Sequence, residues 1–199
     1  MAIYIKEEEV KNLVSMVDAI EVVEKGLISQ KYSNAVNEPR HRLRTSKDGI
    51  HLLIAGDDDQ STIGFKTAYY SGGIVHVVIY DTETKQMSAI IEAGLLGSLR
   101  TGAASAVASK YMANPKSSTM GVFGAGFQAY TQVQAVCEQF DIEKVLVTSR
   151  DLGKRENFIT KVSKLFPDIS IENATSSEEV AACDIVTTAT RSEVPVLRG

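Results

Sequence analysis

A glycine-containing segment in the second half of the chain constrains the fold more than any other feature. The stretch GVFGAGFQAY, residues 121–130, contains the motif G-x-G-x-x-A, formed by Gly124, Gly126 and Ala129 directly after an apolar run. In such a motif the first glycine permits a sharp turn, the second lets the backbone approach a pyrophosphate, and the small third residue lets the helix pack on the strand. The free N–H groups at the start of the helix then face the anion.

The sequence around this motif predicts the setting that it requires. From residue 117 onward, strand patterns alternate with helix patterns, which predicts a parallel, doubly wound sheet. The predicted strands are SSTMGVF, KVLVTS, ISIEN and DIVTTAT, and the predicted helices are 126–139, 151–165 and 176–182. A glycine loop that follows a strand and opens a helix favours dinucleotide binding over a structural turn. Residues 117–199 are therefore interpreted as an incomplete Rossmann-type domain whose cofactor-binding loop comprises Gly124, Ala125, Gly126, Phe127, Gln128 and Ala129.

The end of the second strand bears on which dinucleotide is bound. A site that selects NAD usually has an acidic residue there, for the ribose hydroxyls. This chain has Ser149 and Arg150 at that place, so Arg150 could contact a 2′-phosphate, with Ser149 or Lys154 assisting. Two alternatives stay open: Arg150 is a solvated residue at a helix start, or Asp151 serves NAD. The cofactor is thus NAD or NADP, with a slight preference for NADP.

The first half of the chain follows a different pattern. Residues 8–31 carry a helical apolar stripe, and a period-two pattern then predicts five short strands with brief connections: RHRLRT, GIHLLIAG, STIGFKTAYY, GIVHVVIYD and KQMSAIIEA. Such strands form an antiparallel meander. A helix rich in small residues follows from residue 94, and Pro115 comes after its end. Residues 1–116 are therefore predicted to form an α+β domain with an antiparallel sheet, separate from domain 117–199.

Basic residues occupy unusual places in this first domain. Arg40, Arg42 and Arg44 share one strand face by period two, and Lys66 shares a face with Gly64, Ala68 and Tyr70, where there is room around it. Arg100 and Thr101 lie near the start of the small-residue helix. Arginine presents a fork suited to a carboxylate and lysine a point charge. Convergence would create a clamp for an amino-acid carboxylate; on composition alone, unrelated surface cations are the alternative.

The combination of PR before a strand, GFK in a later strand, LRTGAASAVASKYMA and then GAGFQA resembles the ornithine cyclodeaminase/mu-crystallin family. The resemblance implies a substrate-binding and dimerisation domain, whose sheet pairs with a partner subunit, followed by a Rossmann domain. It also implies that Arg40, Lys66 and Arg100 bind the substrate carboxylate, with Lys66 as the candidate catalytic residue of this chain. Thr101 would contact the cofactor phosphates beside the glycine loop.

The resemblance further implies an NAD(P)-dependent enzyme that transfers a hydride at the α-carbon of an amino or imino acid. The activity would be that of an ornithine cyclodeaminase (a lyase), an amino-acid dehydrogenase or a ketimine reductase. The alternative is a non-catalytic protein of the mu-crystallin type that binds a dinucleotide and a small ligand. The family's base, an aspartate, is expected beyond residue 199, so the chain is expected to be a fragment or a truncated gene product.

One position argues against ornithine as the substrate. Ornithine-specific members of the family carry a glutamate for the distal amine on the strand that here reads GIHLLIAGD. This sequence offers only His51 or Leu52 there. A smaller or different amino acid is therefore expected.

Composition excludes several other classes of protein. The net charge of −4 does not favour binding to nucleic acid. The three histidines are scattered and lack the spacing of metal ligands. The N-terminal MAIYIKEEEV lacks the apolar segment of a signal peptide, and no apolar run approaches the roughly 20 residues that span a bilayer. Cys137 and Cys183 are interpreted as small buried hydrophobes of a reduced chain. A cytoplasmic protein without a metal, nucleic-acid or membrane partner is expected.

Overall fold

The computed structural model describes residues 2–197, and the chain divides into two compact units, Met1–Gly97 and Ser98–Gly199. The division falls inside the long helix α3 (Gly94–Met112). The sequence pattern places the domain boundary at residue 116, after the end of that helix, and this boundary stays a prediction. Among the helices in residues 2–197, none combines the length and the apolar character needed to cross a membrane.

The first unit is built on a seven-stranded sheet with two helices. Its elements are β1 (Ile3–Ile5), α1 (Glu7–Leu13), α2 (Met16–Lys31), β2 (Ala35–Asn37), β3 (His41–Arg44), β4 (Gly49–Asp57), β5 (Thr62–Tyr69), β6 (His76–Asp81) and β7 (Gln86–Glu92). Strands β3 to β7 pair antiparallel in chain order, which confirms the predicted meander. Two strands were not predicted: β2 pairs antiparallel with β4, and β1 pairs parallel with β7. Each has only three residues, too few to show a periodic pattern.

The predicted helical stripe of residues 8–31 is divided between two helices. The first helix ends at Leu13, and Ser15 begins the second: its hydroxyl accepts the N–H of Asp18 at 3.1 Å, and the Asp18 carboxylate accepts the N–H of Ser15 at 2.9 Å. This reciprocal capping box starts a new helix at Met16. Met16 and Ile20 are buried, whereas Val17, which the stripe included, is exposed.

The second unit is a parallel sheet with helices between its strands. After α3 come β8 (Thr119–Phe123), α4 (Phe127–Gln139), β9 (Lys144–Thr148), α5 (Leu152–Leu165), β10 (Ser170–Asn173), α6 (Ser177–Ala181) and β11 (Ile185–Thr188). The strand order β10-β9-β8-β11 confirms the predicted doubly wound arrangement. The order reverses between β8 and β11, and ligands of such sheets bind outside the carboxyl ends of the strands at such a point.

Strand pairing assigns each side chain of the first sheet to one of two faces, because directly opposed residues point the same way. His51 lies opposite Arg42 and Ala68, and Lys66 lies opposite Leu53. We call the face that carries His51 and Lys66 the basic face. The opposite face, the apolar face, carries Tyr4, Val36, Leu43, Ile50, Leu52, Ile54, Ile63, Phe65, Tyr69, Val78, Tyr80 and Ile90.

Candidate functional site

The first glycine of the loop is required by the fold itself. Gly124 follows β8 with φ +116°, a conformation that side chains other than glycine rarely adopt. A Cβ at this position would collide with the carbonyl oxygen of Ala189. The Gly124 N–H also donates to the carbonyl of Thr148 at 2.8 Å. The turn is therefore held between the ends of the two strands that flank β8.

The second glycine is not required by any neighbour within the chain. Gly126 is the N-cap residue of α4 with φ −98°, which any residue can adopt, and a Cβ here would meet no atom within 4 Å. It offers no side-chain acceptor to the first N–H groups of α4. These donors and the positive end of the helix dipole favour an anion. Ala129 is fully buried in the core, whereas Phe127 and Gln128 are exposed.

The residues after β9 divide into two groups. Ser149 is half-buried and Arg150 is exposed immediately beyond the strand, at the place predicted for a ribose or a 2′-phosphate. Asp151 caps α5: its Oδ1 accepts the N–H of Lys154 at 3.0 Å, and its Oδ2 lies 3.5 Å from the Lys154 Nζ. The backbone N–H of Lys154 lowers the pKa of Asp151. Because this carboxylate already has partners, the alternative that Asp151 serves NAD loses support.

Within the second unit, α3 packs closely on α4. Gln132 donates from Nε2 to the carbonyl of Thr101 at 3.2 Å, and the hydroxyls of Ser98 and Thr131 are 2.9 Å apart. A Cβ on Gly102 would collide with the carbonyl oxygen of Thr131, so the small residues of α3 allow the close approach. Thr101 therefore lies against the early turns of the helix that begins at the glycine loop. Nothing in the sequence pattern marked Gln132, although a polar residue on the buried side of a helix is a signal for such a contact.

Arg100 precedes Thr101 on α3 and is exposed. The predicted carboxylate-binding residues thus fall in both units: Arg40 and Lys66 belong to the first, and Arg100 belongs to the second. Their joint action stays a prediction.

In the first unit, the basic residues lie close enough to His51 for their charges to act on it. Burial lowers the pKa of His51, and the charges of Arg40, Arg42, Arg44 and Lys66 lower it further. The charges of Arg40 and Lys66 therefore act on the same side chain, that of His51. The two residues that the sequence offers in place of the family's glutamate lie on opposite faces of the sheet. His51 shares the face of Lys66, and Leu52 lies on the apolar face.

Tyr70 completes the cluster on the basic face. Its ring contacts the ring of His51, with centroids 3.9 Å apart, and the Arg44 guanidinium carbon lies 4.4 Å from the centroid of the Tyr70 ring. Within residues 2–197, the buried Nδ1 of His51 and the buried hydroxyl of Tyr70 have no hydrogen-bond partner. The sequence pattern placed Tyr70 on the face of Lys66 but assigned it no role. It assigned no metal site either, and the described part of the chain contains no group of three His, Cys, Asp or Glu side chains that could hold an ion.

The strand order and the glycine loop at the end of β8 define the second unit as a Rossmann-type α/β unit. The model of the ornithine cyclodeaminase/mu-crystallin family matches residues 2–199, and the chain belongs to this family.

Individual relatives agree with this assignment. Alanine dehydrogenase of Archaeoglobus fulgidus is 29% identical over 199 residues, which cover 96% of this chain and 61% of the relative. An archaeal alanine dehydrogenase dimer with bound NAD superposes with a TM-score of 0.89 at 28% identity, over 98% of this chain and 62% of that chain. Thermococcus litoralis Δ1-pyrroline-2-carboxylate reductase, in complex with NADH and L-proline, also gives a TM-score of 0.89, at 29% identity over 98% and 64%. The chain thus spans less than two thirds of each of these relatives.

Proposed function

We propose that the chain forms part of an NAD(P)-dependent enzyme that transfers a hydride at the α-carbon of an amino or imino acid. The observation that carries the proposal is the open space at Gly126. A glycine without any steric or conformational need, at a helix start without a side-chain cap, leaves room for a bound group. The two solved relatives described above hold NAD or NADH, which supports a dinucleotide as that group.

The residues around the loop suit such a cofactor, which would supply or accept the hydride. The first N–H groups of α4 would bind its pyrophosphate in the space beside Gly126. Thr101, held against α4 by Gln132, is proposed to contact the phosphates. Ser149 and Arg150 lie beyond β9, where the adenosine ribose binds in folds of this kind. Arg150 suits the 2′-phosphate of NADP, and the choice between NAD and NADP depends on that contact.

The basic face suits the other reactant. Arg40 and Lys66 both act on His51, so a carboxylate bound there would be attracted by two cations. A carboxylate fixed in this way orients the adjacent α-carbon, and orientation alone contributes much of enzymatic rate acceleration. We assign Lys66 and Arg40 to this role, with Arg100 as the third cation from the family resemblance. The base is assigned to an aspartate beyond residue 199, as the same resemblance implies.

We also propose that the apolar face pairs with a second copy of the chain. Leu43, Tyr69 and Ile63 are 66%, 56% and 50% exposed on this face, although their side chains are apolar. Contiguous exposed apolar patches of this kind mark interaction sites. A solved relative is a dimer, which supports a second copy as the occupant. The cytoplasmic location stays a prediction.

The test is calorimetric titration of NADH and NADPH into the wild-type chain and Gly126→Val. We expect the valine to weaken binding of both nucleotides by at least about tenfold, because it fills the space of the pyrophosphate. The backbone accepts valine here, so unfolding should change by no more than about 1 kcal/mol. Gly26→Ala on α2, where a Cβ also meets no atom within 4 Å, is the control and should bind normally. Unchanged affinity in Gly126→Val contradicts the proposal.

The same titration tests the choice of cofactor. Arg150→Ala should weaken NADPH by about tenfold and leave NADH within twofold, because a charge-assisted contact to phosphate is lost. Equal effects on both nucleotides would remove Arg150 from the ribose site.

A further inference from the structure

We propose that the basic face selects a substrate with a second acidic group, and that His51 and Tyr70 bind the distal carboxylate of a dicarboxylic amino or imino acid. This inference rests on the proposed function and names its substrate class. It uses residues of the first unit alone.

The register of β4 and β5 places these residues at a suitable span from Lys66. Lys66 of β5 lies opposite Leu53 of β4. His51 lies two residues before Leu53 on β4, and its side chain is on the same face as that of Lys66. Diagonal neighbours of this kind have Cα atoms about 7–8 Å apart. Tyr70 lies on the same side of Lys66 and contacts the His51 ring. A short ligand with one carboxylate at Lys66 therefore extends its other end toward His51 and Tyr70.

The polar atoms of this pair lack partners within the described residues. The His51 Nδ1 and the Tyr70 hydroxyl are both buried, and neither forms a hydrogen bond. A buried polar group without a partner is costly, so such groups call for an explanation. A tyrosine hydroxyl donates, and a neutral imidazole donates from Nδ1 in the tautomer that carries its proton there. Two donors on contacting rings match the two oxygens of a carboxylate.

The positive charge around His51 determines whether the distal group of the substrate is an anion or a cation. Burial lowers the pKa of His51, and the charges of Arg40, Arg42, Arg44 and Lys66 lower it further, which favours the neutral imidazole. The structure shows no ion pair for the three arginines with any residue in 2–197. The same positive field attracts a carboxylate and repels the distal ammonium of ornithine or lysine.

The space and the carboxylate next to Tyr70 are consistent with an anionic ligand. Arg44 and Tyr70 line an open cleft of about 330 Å³, which adjoins the pair on the side of Tyr70 and does not include His51 or Lys66 in its lining. Asp48, which also lines it, is occupied by the hydroxyl of Ser71 and by the N–H of Gly49 at 2.7 Å. Asp48 is not among the groups that shift the pKa of His51. A substrate the size of alanine would leave His51 and Tyr70 without partners, whereas a dicarboxylic acid would supply them.

The test is calorimetric titration of L-aspartate, L-alanine and L-ornithine into the full chain saturated with NADH or NADPH. We expect L-aspartate to bind at least about tenfold more tightly than L-alanine, the effect of one charge-assisted hydrogen-bond pair. L-ornithine should bind more weakly than L-alanine. Equal or weaker binding of L-aspartate overturns the inference, as does the absence of binding by all three.

Two variants separate recognition from structure. Tyr70→Phe and His51→Asn should each weaken L-aspartate about tenfold while L-alanine stays within twofold, because only the distal contact is lost. Tyr32→Phe, an exposed tyrosine after α2, is the matched control and should bind like the wild type. Equal weakening of L-aspartate and L-alanine assigns the pair a structural role and contradicts the inference.

Failure of the inference is distinguishable from failure of the proposed function. A chain that binds neither NADH nor NADPH contradicts both. A chain that binds nucleotide and L-alanine normally but shows no preference for L-aspartate contradicts only the substrate class.

Discussion

The two sheets of this protein differ in how completely they bury their apolar residues. In the parallel sheet, Val122, Val145 and Val147 of the central strands are fully buried under helices of the same unit. In the antiparallel sheet, β4 and β5 are mostly half-buried, and the apolar face presents exposed side chains. Parallel sheets require cover on both faces, whereas antiparallel sheets tolerate one open face. An open face that is apolar, however, indicates a surface that binds another molecule.

The starts of two helices show a second difference. The Glu7 carboxylate accepts the N–H groups of Gly94 (2.9 Å) and Leu95 at the start of α3. The start of α4 at Gly126 has no such side-chain acceptor. One helix start is thus filled by the protein's own anion, and the other is left for an external one. Substitutions can test each side of these comparisons.

The largest expected effect separates the two glycines of the loop. Gly124→Val forces an unfavourable φ and a collision with the Ala189 carbonyl, and should destabilise the protein by about 3 kcal/mol or more. Gly126→Val, with open space, should cost no more than about 1 kcal/mol. Urea unfolding monitored by circular dichroism measures both. Equal destabilisation by the two variants would refute the distinction between a structural glycine and a ligand-binding glycine.

The next effect concerns the apolar face. Ile63→Asp places a charge on the apolar face, within the proposed interface, and should raise the dimer dissociation constant about thirtyfold or more, since interface hot spots contribute about 2 kcal/mol or more. Sedimentation velocity over a concentration series measures the change. Val22→Asp, at an exposed valine on α2, is the control and should leave the dimer intact. A wild-type chain that stays monomeric at high concentration contradicts the dimer.

A smaller effect concerns the filled helix start. Glu7→Gln removes the negative charge from the first N–H groups of α3 and should destabilise the protein by about 1 kcal/mol. Glu8→Gln on the adjacent, exposed position removes the same charge without this contact. Urea unfolding compares the two variants. Identical unfolding curves would show that the Glu7 contact does not stabilise α3.

The smallest effect is the dependence of stability on pH. Because burial and four cations lower the pKa of His51 in the folded protein, the unfolded chain binds this proton more readily. Stability should therefore fall as pH drops below about 6.5, the ordinary pKa of histidine. His51→Asn removes this contribution, so its melting temperature should decrease less than that of the wild type between pH 7.5 and 5. Parallel profiles would show that His51 titrates normally.

Much of the fold was predictable because the patterns are local. Alternation of strand and helix signals from residue 117 predicted the parallel unit, and period two predicted the five-stranded meander. The motif G-x-G-x-x-A predicted the turn at the end of β8, since only glycine accepts its φ. The residues of the proposed carboxylate site, Arg40, Lys66 and Arg100, come from the family resemblance, and their joint role stays a prediction.

Other features depend on contacts between distant parts of the chain. The pairing of β1 with β7 and the capping of α3 by Glu7 join residues more than 80 positions apart, which no local pattern reveals. The break at Ser15 was hidden because the apolar stripe continues across it.

The sequence by itself determined the order of elements, the two kinds of sheet and the position of the glycine loop, because periodicity and glycine conformation act over a few residues. Only the tertiary structure decided that His51, rather than Leu52, joins Lys66, and that Tyr70 lies against it. The reason is the register between β4 and β5. Side chains alternate along a strand, so a shift of one residue exchanges the two faces.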